Sequence, residues 1–343
     1  MACTKKTSAE SLRMPERRLI RPAALQRLKD TYRNGDVLLP ELQRHVMRSS
    51  GAPRPDDHSM QYMHPSDMVK PDWCGRHDYY RIVGTKVEKT SAANPSFRME
   101  NIWAQGTAIH GKYQTWLWEM GVLFGDWECL ECGHRYGALS PTKCQFCLSE
   151  RLIYRELPMR RNQYLIEGHA DGAVHADWLR ALIEIKSIGI NSFRFDAPRL
   201  WNRYQDGESA DDLWFSIKRP FATHVRQGQL YLWLSWPAYE QIVFIYESKF
   251  NQQTKEFVVG YNKNLIAPLL EVAREVSQGV RAGIEPDRPL WAEGPDGKVC
   301  TSCEYRKTCW GIHDRTTQAD HQEAAVRILR AKPARRRRAL RTP

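Results

Sequence analysis

Asp171, Glu184 and Lys186 have the types and the spacing to hold a cation beside a phosphate. They lie in QYLIEGHADGAVHADWLRALIEIKS (163–187), two alternating apolar runs around a turn at His175 to Trp178, which predicts a β-hairpin. With the turn centred between Asp177 and Trp178, facing positions sum to 355, so Asp171 falls across from Glu184. Opposed side chains of an antiparallel pair sit about 5 Å apart at Cβ. Two carboxylates that close repel unless a proton or a cation lies between them. Alternation places Lys186 on the Glu184 face and turns Ile183 and Ile185 toward a core. A solvated strand face reads the same way, so the hairpin alone does not decide.

Two further elements bear on the choice. Residues 102–120 place Ile102, Ile109, Tyr113, Trp116, Leu117 and Met120 at helical spacing, with His110 on the same stripe one turn from Gly106. A histidine facing a core needs a partner, and a satisfied core histidine and a metal ligand read alike here. Further along, THVRQGQLYLWLSW places Gln227 and Tyr231 four apart on one face of an expected helix.

Nine cysteines without a secretion signal point to metal ligation before disulfides. Cys129, Cys132, Cys144 and Cys147 form two C-x2-C pairs separated by eleven residues, the spacing of a zinc ribbon with a closed, structural tetrahedral site. Gly133 eases the first turn. Cys300, Cys303 and Cys309 are one ligand short. His313 completes them locally, or a distant cysteine does, Cys3 and Cys74 being the two left over. Ligand type suits zinc and an iron-sulfur cluster equally. Ahead of Cys74, Ser66 after Pro65 reads as a helix N-cap, and Tyr79, Tyr80 and Ile82 are apolar enough to anchor a buried element.

The elements that must position these groups follow from the same patterning. Residues 240–247 and 255–261 read as a second hairpin turning at 251–254, and residues 265–282 as an amphipathic helix stopped at Gly283. Helices are expected at 24–32 and 38–47, with a Pro- and Asp-rich turn after them. Of the 343 residues, 42% are hydrophobic, enough for a folded core. The net charge is +11, and residues 324–343 hold eight cations and no acid, leaving +3 elsewhere. That asymmetry suits a polyanion and gives it no sequence preference. No apolar run is long enough to span a bilayer and no phosphate-cradling Gly-rich loop occurs, so a cytosolic chain without a motor of its own is expected.

In order, the chain shows Gly106-x-x-x-His110, Gly168-x-x-Asp171-Gly172, Glu184-Ile185-Lys186 and Gln227-x-x-x-Tyr231. That order resembles the RecB-type nuclease domain of the PD-(D/E)XK superfamily. Cys74 before this core, with Tyr79 and Tyr80, and C-x2-C-x5-C after it resemble the iron-sulfur branch, which includes CRISPR-associated RecB-like exonucleases and the AddB nuclease domain. The likeness spans roughly residues 63–312.

The resemblance implies an α/β fold, restriction-endonuclease-like, with a central mixed sheet flanked by helices, an inserted zinc ribbon and an iron-sulfur clasp. It divides the chain into a basic helical extension (1–60), the nuclease domain (61–312) containing the ribbon (127–150), and a basic tail (313–343). The implied activity is a Mg2+- or Mn2+-dependent deoxyribonuclease acting as an exonuclease on DNA ends. Its setting would be recombination, repair or phage DNA metabolism, in the cytoplasm of a bacterial cell or a phage-infected host. His110, Asp171, Glu184 and the Ile185 carbonyl would hold the ion, Lys186 would position the attacking water, and Gln227 and Tyr231 would lie beside the site. Cys74, Cys300, Cys303 and Cys309 would bind a [4Fe-4S] cluster, tying together segments 226 positions apart. DNA is the implied partner, with a recombinase, annealing protein or helicase as a candidate protein partner. The other classes consistent with the residues are a non-catalytic nucleic-acid-binding adaptor and an iron-sulfur redox-responsive DNA-binding protein. Two stretches depart from the family pattern: the ribbon itself, and residues 189–218, whose Phe193, Arg194, Arg199, Trp201 and Arg203 suit either clamping single-stranded bases or packing under a loop.

Overall fold

The computed structural model describes residues 38–50, 59–87 and 95–312. Cys3, His313, the expected helix at 24–32, the Pro- and Asp-rich turn and the basic tail lie outside them. The chain divides into two units, Met1–Ser50 and Gly51–Pro343. In the first, helix α1 (Leu39–Ser49) has Pro40 in its first turn, where the fixed φ of proline is suited.

In the second unit a seven-stranded mixed sheet is flanked by helices. Its strands are β1 (Leu123–Cys129), β2 (Arg135–Leu139), β3 (Leu152–Tyr154), β6 (Gly172–Ala176), β7 (Leu179–Ile188), β8 (Gln241–Ser248) and β9 (Thr254–Gly260), while β4 (Leu157–Arg161) and β5 (Ile166–Ala170) pair separately. The order is β2-β1-β6-β7-β8-β9, with β3 also on β1. Only β7 and β8 run parallel within it, and their connection carries the helices between them. The first hairpin has the expected register: Gly172 pairs with Ile183 and His175 with Arg180. The expected continuous first strand, however, is cut at Asp171 into β5 and β6. At the cut the Asp171 carboxylate leaves the strand direction to accept the Ile185 N–H.

β7 is apolar on both faces because both are covered. Leu182 belongs to the larger core with Phe244, Tyr246, Leu230 and Trp214, whereas Ile183 packs with Leu123, Val174 and Val243 in a second core.

Five helices matter for the sites. α2 (Gly75–Ile82) has Cys74 at its N-cap and buries Tyr79, Tyr80 and Ile82. α3 (Phe97–Glu119) starts where the Ser96 hydroxyl accepts the Met99 N–H. α4 (Ala222–Ser235) is buried from Gln227 to Leu234, and α5 (Ala267–Ala282) stops on left-handed Gly283, as its sequence predicts. A short turn of helix, Pro65–Met68, takes His64 as its N-cap. Ser66 therefore lies inside it and is not the cap, because Pro65 already occupies the first helical position. The apolar stripe of α3 also differs from expectation. Only Ile109 is buried, while Ile102, Trp116 and Met120 are 39%, 49% and 60% exposed. At about 1.5 Å per residue the helix is roughly 35 Å long, more than the strand ends it crosses can cover.

Candidate active site and metal centres

The acid, acid, lysine face assembles on one side of β7. Asp171 is 6% exposed and Glu184 3%; the β6 to β7 register ends with Gly172 opposite Ile183, one residue short of pairing the two acids. Asp171 divides its carboxylate: Oδ2 accepts the Ile185 N–H at 2.5 Å, and Oδ1 lies 2.9 Å from His110 Nδ1, delivered by α3. The Asp171 backbone is pinned as well, its carbonyl accepting the Tyr154 hydroxyl at 2.9 Å and the Gln114 amide at 3.1 Å. Lys186 Nζ is 2.7 Å from Glu184 Oε1 and donates to Gln227 Oε1 at 2.9 Å, and Gln227 Nε2 donates to the Tyr231 hydroxyl at 2.9 Å. The structure thus brings His110, Asp171, Glu184, Lys186, Gln227 and Tyr231 into one connected cluster.

Two glycines are dictated by close approach. A Cβ on Gly168 would stand 2.8 Å from Tyr231 Cε1, and one on Gly172 would stand 2.5 Å from the Tyr154 hydroxyl. The glycines flanking Asp171 therefore let two tyrosines pack against its strand.

The charges of the cluster act strongly on one another. Burial lifts the Glu184 carboxyl to about 7; Lys186 pulls it down and Asp171 pushes it further up. Burial works against the Lys186 ammonium, but Glu184 and Asp171 outweigh it and its pKa lies above the ordinary lysine value. The same contest, decided by Asp171, raises His110. Glu184 Oε2 is buried without a hydrogen-bond partner, an expensive state for an acceptor of this kind.

The donor set fits a hard divalent ion. Neighbouring ligands of an octahedral ion at about 2.1 Å are about 3.0 Å apart and opposite ones about 4.2 Å. His110 and Asp171 already stand at the first spacing. Among the described residues, two groups gather ligand atoms within 4.8 Å of one another: His110, Asp171 and Glu156, and the four ribbon cysteines. Glu156 is the residue that sequence reasoning missed. It lies between β3 and β4, inside no motif, and no local spacing connects it to Asp171.

The ribbon closes as its spacing requires. Cys129 and Cys147 sulfurs are 3.5 Å apart and Cys132 and Cys144 3.6 Å, close to the ~3.8 Å edge of a tetrahedron with Zn–S near 2.3 Å. N–H groups of Cys132 and Glu131 turned to the Cys129 sulfur draw its thiol down to about 6. Its two turns repeat one geometry: Gly133 N–H donates to the Cys129 carbonyl and Leu148 N–H to the Cys144 carbonyl, both at 2.9 Å. Each donor residue is left-handed, Gly133 at φ 69° and Leu148 at φ 63°. Zinc is the ion this closed thiolate set suits.

Cys74, Cys300, Cys303 and Cys309 line one cavity of about 370 Å3. Their sulfurs do not gather within 4.8 Å as the ribbon's do. Burial pushes the Cys74 thiol up to about 11 despite helix N–H groups of α2 turned to it. Around the cavity the Tyr305 ring packs on His77 and Tyr80, and Arg288 lies over Trp310 with its Nε 3.4 Å from Cys309 Sγ.

In the 189–218 segment Phe193 is fully buried in the core and so is not exposed for a base clamp, whereas Arg194, Arg199 and Arg203 are exposed, Arg203 in an ion pair with Glu208. The Phe193 ring completes the core over Phe221.

No family model matches the chain, and no curated protein matches it. Among solved structures it is similar to SSO0001, with 13% identity over 78% of this chain and 94% of that one and a TM-score of 0.35. It is also similar to an alkaline exonuclease, LHK-Exo, from Laribacter hongkongensis, with 11% identity over 63% and 86% and a TM-score of 0.33. The complex of LHK-Exo with dAMP gives 12% identity over 63% and 86%, with a TM-score of 0.32. No helix among the described residues is long and apolar enough to cross a membrane.

Proposed function

We propose that this chain is a Mg2+- or Mn2+-dependent exonuclease that hydrolyses DNA phosphodiester bonds, acting on single-stranded ends in recombination, repair or phage DNA metabolism. One observation carries the reading: His110, Asp171, Glu184 and Lys186, drawn from two helix-and-strand regions up to 76 positions apart, converge with an orphaned carboxylate oxygen in their midst. His110, Asp171 and Glu184 would hold the ion. The Ile185 carbonyl would join them, since a strand residue sends its N–H and C=O to the same side and the Ile185 N–H already meets Asp171. A bound hard ion supplies Lewis-acid polarisation of the phosphoryl oxygen.

The chain's own groups do the rest. Hydrolysis adds water across one P–O bond, with one proton lost from the water and one gained by the leaving oxygen. Lys186 is charged at neutral pH, so it acts as a donor that orients the water and faces the negative charge building at phosphorus. Gln227 fixes that ammonium from behind and is itself fixed by Tyr231. A path for the strand is offered by a cleft of about 1140 Å3 whose walls include Arg199, Lys218, Arg219 and Arg226. Arg226 Nε is buried there without a partner, and Asp196 at the cleft's edge acts on the charge of Lys186. Phosphates neutralise such cations without reading sequence.

The clasp is part of the same reading. Four thiols around a cavity, spaced wider than one ion allows, suit a [4Fe-4S] cluster with a structural role. In the domain division, residues 61–312 form the nuclease and 127–150 its ribbon, flanked by basic ends at 1–60 and 313–343.

The test is cleavage of end-labelled single- and double-stranded DNA with and without Mn2+. Asp171→Ala, Glu184→Ala and Lys186→Ala are each expected to lower the rate at least about 1000-fold, in keeping with removal of a preorganised electrostatic group, with zinc content unchanged. Activity within tenfold of the unsubstituted protein in all three overturns the proposal. DNA binding without any cleavage in Mn2+ would make the chain an adaptor instead.

A further inference from the structure

We propose that Glu156, on the return path of the ribbon, is a ligand of the same divalent ion as His110 and Asp171, so that the ribbon completes the ion site. The inference rests on the nuclease reading above and adds to it a residue outside the four ordered motifs.

The geometry is direct. Ligand atoms of His110, Glu156 and Asp171 all lie within 4.8 Å of one another, close to the roughly 4.2 Å that separates opposite ligands of an octahedral ion, so small side-chain shifts bring all three onto one ion. Glu184, 3% exposed and with its Oε2 without a hydrogen-bond partner, stands where the charges of Asp171 and His110 act on it. Three groups from three parts of the chain thus gather their ligand atoms, with the Glu184 carboxylate beside them.

The backbone at Glu156 is held for this placement. Its φ is +52°, a left-handed conformation that costs a residue with a Cβ about 1–2 kcal/mol. The surroundings enforce it: the Glu156 carbonyl accepts the Asp126 N–H and the Arg155 N–H donates to the Asp126 carbonyl, both at 2.8 Å. That two-bond clamp ties the residue to β1, the strand that ends in Cys129. Two positions earlier Tyr154 pairs with Trp127 on the same strand and gives its hydroxyl to the Asp171 carbonyl. The strand returning from the second cysteine pair therefore reaches Asp171 twice, through a phenol at its backbone and a carboxylate beside its side chain. Strained residues held by over-determined surroundings concentrate at functional sites, and this one points a hard oxygen ligand at a hard-ion site.

The test measures Mn2+ binding by the full-length protein, following the free-ion signal by electron paramagnetic resonance. Glu156→Gln keeps the shape and removes the charge. Glu156→Gly removes the carboxylate at a backbone position glycine occupies without strain, so it keeps the fold. Both are expected to raise the Kd for Mn2+ at least tenfold, with zinc content unchanged and the thermal midpoint of the glycine variant equal to or above the parent. Asp171→Asn serves as the reference for a lost site. If Asp171→Asn loses Mn2+ while both Glu156 variants bind within twofold of the parent, Glu156 is no ligand and the nuclease reading stands alone. If Asp171→Asn itself binds as the parent does, the nuclease reading fails first.

Discussion

The two four-cysteine sets reach opposite geometries from the same ligand. The ribbon draws its thiols from residues 129–147, on two turns of the same shape, and brings the sulfurs to 3.5 and 3.6 Å. The second set joins Cys74, at the start of α2, to Cys300, Cys303 and Cys309 near the end of the described chain, around a cavity of about 370 Å3. Local chain geometry alone sets the first spacing, so the ribbon arrives at the size of one ion. The second spacing is set by how α2 packs on α5 and how residues 285–310 fold over α2, and it leaves room for a larger group. Proximity in sequence gives a tight site almost independent of the fold, whereas separation makes the site a product of the fold and the fold dependent on the site.

That contrast is open to attack at each end. The largest effect is expected from Cys74→Ser against Cys147→Ser. The parent should purify brown with about four iron and one zinc per chain. Cys74→Ser should lose the iron, keep the zinc and drop in thermal midpoint by about 10 °C, as removal of a 3–5 kcal/mol cross-link does in a domain of this size. Cys147→Ser should lose only the zinc and shift the midpoint by a few degrees, and on the inference above it should also weaken Mn2+ binding. Colourless parent protein holding two zinc ions, or equal destabilisation by the two substitutions, would break the comparison.

A smaller effect separates packing from ligation at the clasp. A Cβ on Gly75, next to Cys74, would stand 2.7 Å from Val272 Cγ1 and 2.9 Å from Val276 Cγ2 on α5. Gly75→Val is expected to cost about 1–3 kcal/mol of stability through overpacking, and to lose iron in proportion on dilution or mild heating. Full iron retention at an unchanged midpoint would show that the α2 to α5 contact does not set the clasp. The smallest effect tests the ribbon turns. No atom lies within 4 Å of a Cβ on Gly133, so Gly133→Val acts through its left-handed backbone alone and should weaken zinc retention against a chelator by about 1–2 kcal/mol. Leu148→Gly at the matching position should strengthen it slightly. The opposite order would refute the equivalence of the two turns.

Much of this was legible beforehand, for identifiable reasons. The β6 to β7 register followed from one turn and a period of two, and it holds as far as Gly172 opposite Ile183. Gln227 and Tyr231 share a helix face because they are four apart, and the structure bonds them to each other. Other features were hidden. Phe193 looked like an exposed aromatic in a polar stretch, yet it seals the core because α4 begins nearby with Phe221 under it. The stripe on α3 looked like a core face, but a stripe says nothing about how much surface lies opposite to cover it. Leu148 gave no turn signal, since leucine rarely adopts the conformation that its ribbon position imposes.

The amino-acid sequence by itself determined the local geometry: the hairpin register, the helix faces and the paired cysteine turns, each governed by periods of two to four residues and short turns. Tertiary structure alone decided which distant groups meet. It cut a strand at Asp171 so that its carboxylate could reach both Ile185 and His110, and it delivered Glu156 beside them. It also set Cys74 against the last three cysteines, because the placement of distant segments depends on packing over the whole core, which no local spacing encodes.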